Sequence, residues 1–192
     1  MIALQDPTPR LTADQYLLWE ESQVDRHEYV DGQIYAMSGG TVNHGEIAAN
    51  CIAVLKGQLQ GSGCRVLTSD VKVRVLRSNA FLYPDVSVTC DPEDRSAEQF
   101  ISAPGLIVEV LSPGTEAYDR GDKFKLYRRA ISLQNYVLVS SREVGVEVYE
   151  RDQVGRWIFV AYGPGETIRL NGVGPKGAIE VAIEALYENI QF

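Results

Sequence analysis

The run Leu106-Ile107-Val108-Glu109-Val110-Leu111 constrains the fold more than any other stretch of the chain. Its apolar residues do not alternate with polar ones. That pattern belongs to a central strand covered on both faces, not to a strand with one wet side. A strand of this kind requires a sheet with further elements packed above and below it. Glu109 stands inside the run. An ionised carboxylate among Ile, Val and Leu is costly unless a cation or hydrogen-bond donors satisfy it. The strand that organises the fold therefore also carries the first candidate functional residue.

The chain has 192 residues, enough for one domain with its own core, and one domain over 1–192 is the expectation. No stretch is long and apolar enough to span a membrane. The opening residues Met1-Ile2-Ala3-Leu4-Gln5-Asp6-Pro7 lack a basic region followed by an apolar run, so no signal peptide is expected. Cys51, Cys64 and Cys90 are odd in number, scattered, and form no zinc-type pair. They fit a reducing compartment, and the expected location is the cytoplasm. The formal net charge of −8 argues against strong nonspecific affinity for nucleic acid. It does not exclude a nucleic-acid enzyme, because a local basic patch and bound metal ions can offset it. Lys72, Arg74, Arg77 and the basic residues between Arg120 and Arg129 are the candidates for such a patch.

Local signals set out the remaining elements. Residues 11–20 read as a short helix capped by Thr12. Asp31-Gly32 between two strand-like runs marks a hairpin. Asn43, with Glu46 as capping partner, is expected to open a long helix that Gly61 ends. Strands are expected over 65–68, 71–75 and 85–90, with a polar loop over 91–102 and the central strand over 106–111. A helix over 119–130 leads to a strand over 135–139. Strands over 144–149 and 157–162 pair about a turn at 152–155, and a closing helix covers 179–189. The fold class is α/β (mixed α+β): a central mixed sheet flanked by helices, with an N-terminal helix and β-hairpin.

Side chains alternate across a strand. Asp85, Ser87 and Thr89 share one face of their strand, and Ile107, Glu109 and Leu111 share one face of theirs. If the two strands are neighbours, Asp85 and Glu109 converge. Asp119, Lys123 and Tyr127 lie four apart on the following helix and share a stripe that can point back at the pair. Two carboxylates and an amine around one point are suited to phosphoryl chemistry. The acids can hold Mg²⁺ or Mn²⁺ while leaving positions for water and a phosphate oxygen. The amine can orient a nucleophile or stabilise charge on the phosphate. The competing reading of Glu109 is a buried structural ion pair, and that of Asp119 and Lys123 is a surface helix pair.

These residues resemble the PD-(D/E)xK nuclease superfamily, the restriction-endonuclease-like fold, and within it the Uma-type endonuclease family. The resemblance covers nearly the whole chain. It runs through Thr12, His27-Glu28-Tyr29-Val30-Asp31-Gly32, Ile34-Tyr35, His44, Pro84-Asp85-Val86, Pro104, Glu109-Val110-Leu111-Ser112-Pro113, Asp119, Lys123, Tyr127 and Tyr136-Val137-Leu138-Val139. It implies a metal-dependent endonuclease acting on double-stranded DNA, with Asp85 and Glu109 as ligands of Mg²⁺ or Mn²⁺. Asp85, Glu109 and Lys123 would be catalytic. Glu28 and His44 would stand near the metal, a water or a phosphate, and Asp119 and Tyr127 would orient Lys123. A homodimer is expected, since enzymes that cut both strands often work as two-fold pairs. The superfamily pattern places a lysine two residues after the second acid, where this chain has Leu111. The resemblance therefore assigns the amine to Lys123, with Lys125 as the backup. The alternative function is an inactive nuclease-fold module that binds nucleic acid or a partner protein.

Overall fold

The computed structural model describes residues 2–3, 10–37, 39–175 and 177–192; most of the opening segment 1–7 lies outside them. After β1 (Ile2–Ala3) comes helix α1 (Ala13–Glu20), closed at its start by a capping box. Thr12 accepts the Gln15 N–H, and the Gln15 side chain accepts the Thr12 N–H. Strands β2 (His27–Val30) and β3 (Gln33–Ala36) form the expected hairpin. Asp31 and Gly32 both take positive φ, 47° and 91°, the backbone that a two-residue turn between twisted strands requires.

Helix α2 (Val42–Gln58) starts two residues earlier than the sequence signal indicated. Its cap is Thr41, which accepts the His44 N–H, and the Asn43 amide instead reaches the Gln191 carbonyl. Then follow β4 (Arg65–Thr68), β5 (Lys72–Val75), β6 (Ala80–Leu82) and β7 (Val86–Thr89). The polar stretch 91–102 is more ordered than a plain loop. It holds a 3₁₀ turn and the short strand β8 (Phe100–Ile101). The buried Asp94 pins it, accepting from Thr89 Oγ1 and from the N–H groups of Ser102 and Ala103.

The central run forms β9 (Leu106–Leu111), buried at every position. It pairs antiparallel with β7 and parallel with β10 (Asn135–Ser140). Parallel neighbours need a crossover. Here it is a helix in three parts: α3 (Glu116–Tyr118), a π-helical turn over Asp119–Lys123, and α4 (Phe124–Tyr127). The crossover starts before and ends before the expected span 119–130. It is followed by β11 (Val146–Arg151), β12 (Trp157–Tyr162), β13 (Thr167–Asn171), β14 (Ala178–Ala182) and the short helix α5 (Ile183–Leu186). The expected closing helix over 179–189 is thus strand in its first four residues and helix only over 183–186, because Ile179 and Val181 alternate into the core opposite β13.

Two six-stranded mixed sheets result, with strand orders β1-β3-β2-β6-β5-β8 and β12-β11-β10-β9-β7-β4, and β13-β14 form a small third sheet. Leu106, Val108 and Val110 on one face of β9 join α2, β13, β14 and α5 in the larger core. Ile107 and Leu111 on the other face join the crossover helix and strands of the first sheet in a second core. Glu109 shares that second face and therefore lies between the two sheets, beneath the crossover helix. Cys64 and Cys90 are bonded to each other across β4 and β7, which departs from the reading that the three cysteines fit a reducing compartment; Cys51 is free and buried. No helix among the described residues is long and apolar enough to cross a membrane.

Candidate active site

The β7–β9 register sets Val86 across from Val108. One further step sets Asp85 across from Glu109, on one face of the sheet, as the alternation implied. Glu109 is 2% exposed. Asp85 is partly open and accepts the Val110 N–H at 2.7 Å through Oδ2, so the second carboxylate's own strand fixes the first. The crossover helix then delivers the amine. Lys123 Nζ lies 2.9 Å from Glu109 Oε1, 3.3 Å from Glu28 Oε1 and 3.7 Å from Asp119 Oδ1. Its approach to Glu109 is close but poorly aligned for a hydrogen bond, so the attraction is ionic. Lys125 points to solvent and pairs with Asp122 at 2.8 Å, which removes it from the site.

The auxiliary residues divide. Glu28, on β2, accepts the Tyr83 N–H at 3.1 Å and faces Lys123. His44, in the first turn of α2, places Nε2 3.2 Å from Asp85 Oδ2. Gly40 makes room for that imidazole: a Cβ built there would lie 2.6 Å from His44 Nδ1. Asp119 is buried, and its N–H donates to the Thr115 carbonyl at 2.9 Å. Its carbonyl accepts the Tyr136 hydroxyl at 2.8 Å. Tyr127 is fully buried, packs on the Tyr136 ring at 5.7 Å, and has no hydrogen-bond partner for its hydroxyl. It therefore belongs to the second core and does not hydrogen-bond Lys123.

Three contributors were not legible as site residues in the sequence. Tyr83 holds Glu28 through its N–H and donates its hydroxyl to Glu20 at 3.0 Å. Tyr118 lines the pocket with a buried hydroxyl that has no partner. Thr115 lines the pocket, accepts the Asp119 N–H through its carbonyl, and sets its hydroxyl 3.0 Å from that of Ser112. The tyrosines look like core residues in a sequence. Thr115 is hinted at only by the Ser112-Pro113-Gly114-Thr115 stop. The expected basic patch does not gather at the pocket. Arg120 pairs with Glu116 and Glu147, Arg74 stacks on Phe81 and Phe100, and Lys72 sits 5.5 Å from the Tyr83 ring.

Glu28, His44, Asp85, Glu109, Asp119 and Lys123, with Tyr83, Thr115 and Tyr118, line a pocket of about 80 Å³. Four carboxylates (Glu28, Asp85, Glu109 and Asp119) share it with one lysine and one histidine. Burial pushes Glu109 well above the usual carboxylate range; Lys123 counters this, while Asp119 and Asp85 add to it. Asp119 is likewise raised, first by burial. Burial works against the charge on Lys123, but Glu109 and Glu28 outweigh it and hold the amine protonated. His44 is raised, chiefly by its hydrogen bond to Asp85. The donor set is hard oxygen with surplus negative charge, which suits a divalent cation. Among the described residues no three Asp, Glu, His or Cys side chains form a ready-made cage. Any ion held here would have to keep water or phosphate oxygens among its ligands, as Mg²⁺ does.

A mixed sheet crossed by one helix, with two opposed acids and a lysine beneath it, defines the class: an α/β fold of the restriction-endonuclease-like kind. The same fold occurs in a crystal structure from Anabaena variabilis described as "a putative nuclease belonging to DUF820". The TM-score is 0.75 at 18% identity, over 94% of this chain and 99% of that one. Residues 13–182 match the Uma2 family model, described as "Putative restriction endonuclease", and the chain belongs to that family. Two relatives come from Synechocystis sp. The uncharacterized protein slr1290 is 43% identical over 97% of this chain and 96% of its own length. The uncharacterized protein sll1609 is 29% identical over 79% of this chain and 86% of its own length.

Proposed function

We propose that the chain is a divalent-metal-dependent phosphodiesterase that cuts nucleic acid, with double-stranded DNA as substrate. One observation carries this reading: Asp85 and Glu109 stand opposed on neighbouring strands with the Lys123 ammonium 2.9 Å from Glu109. Membership of the Uma2 family and the fold shared with a protein described as a nuclease support it.

Asp85 and Glu109 would hold Mg²⁺ or Mn²⁺. The ion, when bound, lowers the pKa of a coordinated water and polarises the phosphodiester. Lys123 provides a fixed positive charge against the phosphate and orients the attacking water. Glu28 and Asp119 hold that ammonium in place from either side. His44 donates to Asp85 or to a phosphate oxygen, and the Tyr118 hydroxyl is a second donor at the pocket wall. Lys123 reaches Glu109 from the helix, so it can supply the amine that Leu111 does not. A two-fold homodimer would set one such site against each strand of a duplex.

The test is nicking and linearisation of plasmid DNA in Mg²⁺ or Mn²⁺ by wild type, Asp85→Ala and Glu109→Ala. Cleavage by wild type alone is expected. Equal cleavage by all three proteins identifies a contaminant and overturns the assignment. Calorimetric binding of Mn²⁺ to wild type, with no cleavage of any nucleic acid offered, would favour the inactive binding module.

A further inference from the structure

We infer that the chain pairs with a second copy of itself through β12, edge to edge and antiparallel. Open sheet edges invite pairing, and proteins blunt them by shortness, charge or cover. The other outer strands of the two large sheets are blunted. β1 and β8 have two residues each, and β4 carries Arg65 and lies beside the Cys64–Cys90 bond. β12 ends its sheet unpaired among the described residues. It is six residues long, Trp157-Ile158-Phe159-Val160-Ala161-Tyr162, with no charge and no proline. Ile158, Phe159 and Val160 are 45%, 52% and 38% exposed.

The β11–β12 turn fixes where the free backbone groups of β12 point. The Asp152 N–H donates to the Arg156 carbonyl, so those two residues form a hydrogen-bonded pair. Bonded and non-bonded pairs alternate along an antiparallel ladder. Ile158, Val160 and Tyr162 therefore bond Glu150, Val148 and Val146 on β11. Trp157, Phe159 and Ala161 aim their N–H and C=O groups outward.

A two-fold axis at Phe159 satisfies all of them. Phe159 bonds Phe159 of the partner subunit, and Trp157 bonds Ala161 of the partner subunit, each reciprocated. Ile158 then faces Val160 of the partner subunit on one side of the joined sheet, and the two Phe159 rings meet on the other. The charges also agree. Arg156, whose side chain is 74% exposed and pairs through Nε with Asp152 of its own turn at 2.7 Å, keeps its other guanidinium N–H groups free to meet the partner's Glu166, which caps the corner at Gly163 of the partner subunit. Apolar and charged positions both complement their own copy, which commits the edge to a second copy rather than a foreign strand. The seam touches the catalytic layer, since the Trp157 ring meets Phe124, the neighbour of Lys123, edge-on at 5.2 Å.

Sedimentation equilibrium at micromolar concentration tests this. Wild type should run at twice the chain mass. Ile158→Lys and Val160→Glu, each at an exposed position, should run at the chain mass with an unchanged circular dichroism spectrum and melt. The double variant Ile158→Lys/Val160→Glu places opposite charges face to face across the axis and should restore the dimer. A monomeric wild type, or a dimer indifferent to Ile158→Lys, overturns the inference. A folded double variant that stays monomeric overturns the pairing centred on Phe159. None of these readings depends on cleavage, so a failed nuclease assay and a failed dimer are told apart.

Discussion

Among the described residues Lys123 carries the one lysine charge in a pocket that four carboxylates line. Removing one member of such a group leaves its partners charged and uncompensated, which costs about 3–5 kcal/mol. Lys123→Met should therefore lower the unfolding free energy by about that amount in denaturant titrations without metal, and should abolish cleavage. Glu109→Gln acts in the opposite sense. Burial already pushes Glu109 toward its neutral form, so the amide removes a strained charge while keeping the shape. The metal-free melting temperature should hold or rise, and the rise that Mn²⁺ gives to wild type should vanish. A Glu109→Gln variant that keeps the metal-dependent rise would move the cation elsewhere. Asp85, Glu109 and Lys123 were legible because each breaks a local rule or sits at a fixed spacing: an acid in an apolar strand, an acid at the head of one, an amine four residues from an acid. Tyr83 and Tyr118 were not legible. Their polar function depends on which element lies across from them, and no local pattern encodes that.

The crossover helix shows what spacing alone misses. Asp119, Lys123 and Tyr127 at intervals of four predict one stripe on an α-helix. The helix instead widens into a π turn over Asp119–Lys123, and such turns concentrate at functional sites. The widened turn lets both Asp119 and Lys123 bury while Phe124 and Tyr127 stay anchored in the core. Deleting Gly121, inside that turn, would restore an α-helical repeat and rotate Asp119 by about 100° relative to Lys123. The expected outcome is a folded chain with native far-ultraviolet circular dichroism and little cleavage. At the start of α2, Thr41 caps the N–H of His44 itself. Thr41→Ala should cost about 1 kcal/mol and loosen the imidazole beside Asp85, read as a weakened His44–Asp85 contact by NMR. Both Thr41 and Asn43 are good caps, so the sequence left the true start of α2 open by two residues. The closing segment was misread for a related reason. Ile179, Val181 and Ile183 fit a strand, but only the pairing with β13 shows that the strand forms.

At the scale of the molecule, the net charge of −8 and the carboxylate-rich pocket set a condition on any encounter with nucleic acid. A phosphate about 5 Å from one ionised carboxylate is repelled by about 3 kcal/mol at an effective dielectric constant of about 20. Lys123 cancels one negative charge, and the acids that stay ionised oppose a phosphate until a divalent cation joins them. The expected basic track is absent from the pocket, since Arg120 is already paired and Arg74 lies on aromatic rings. Affinity for duplex DNA should therefore follow the divalent cation more than the salt. In fluorescence anisotropy, a labelled duplex should bind in Mg²⁺ and be released by a chelator. The dependence on monovalent salt should be shallow, because few phosphates are neutralised by Lys or Arg. Tight binding in chelator with a steep loss in salt would mean a basic surface carries the nucleic acid, and the carboxylate pocket would lose its part in substrate binding.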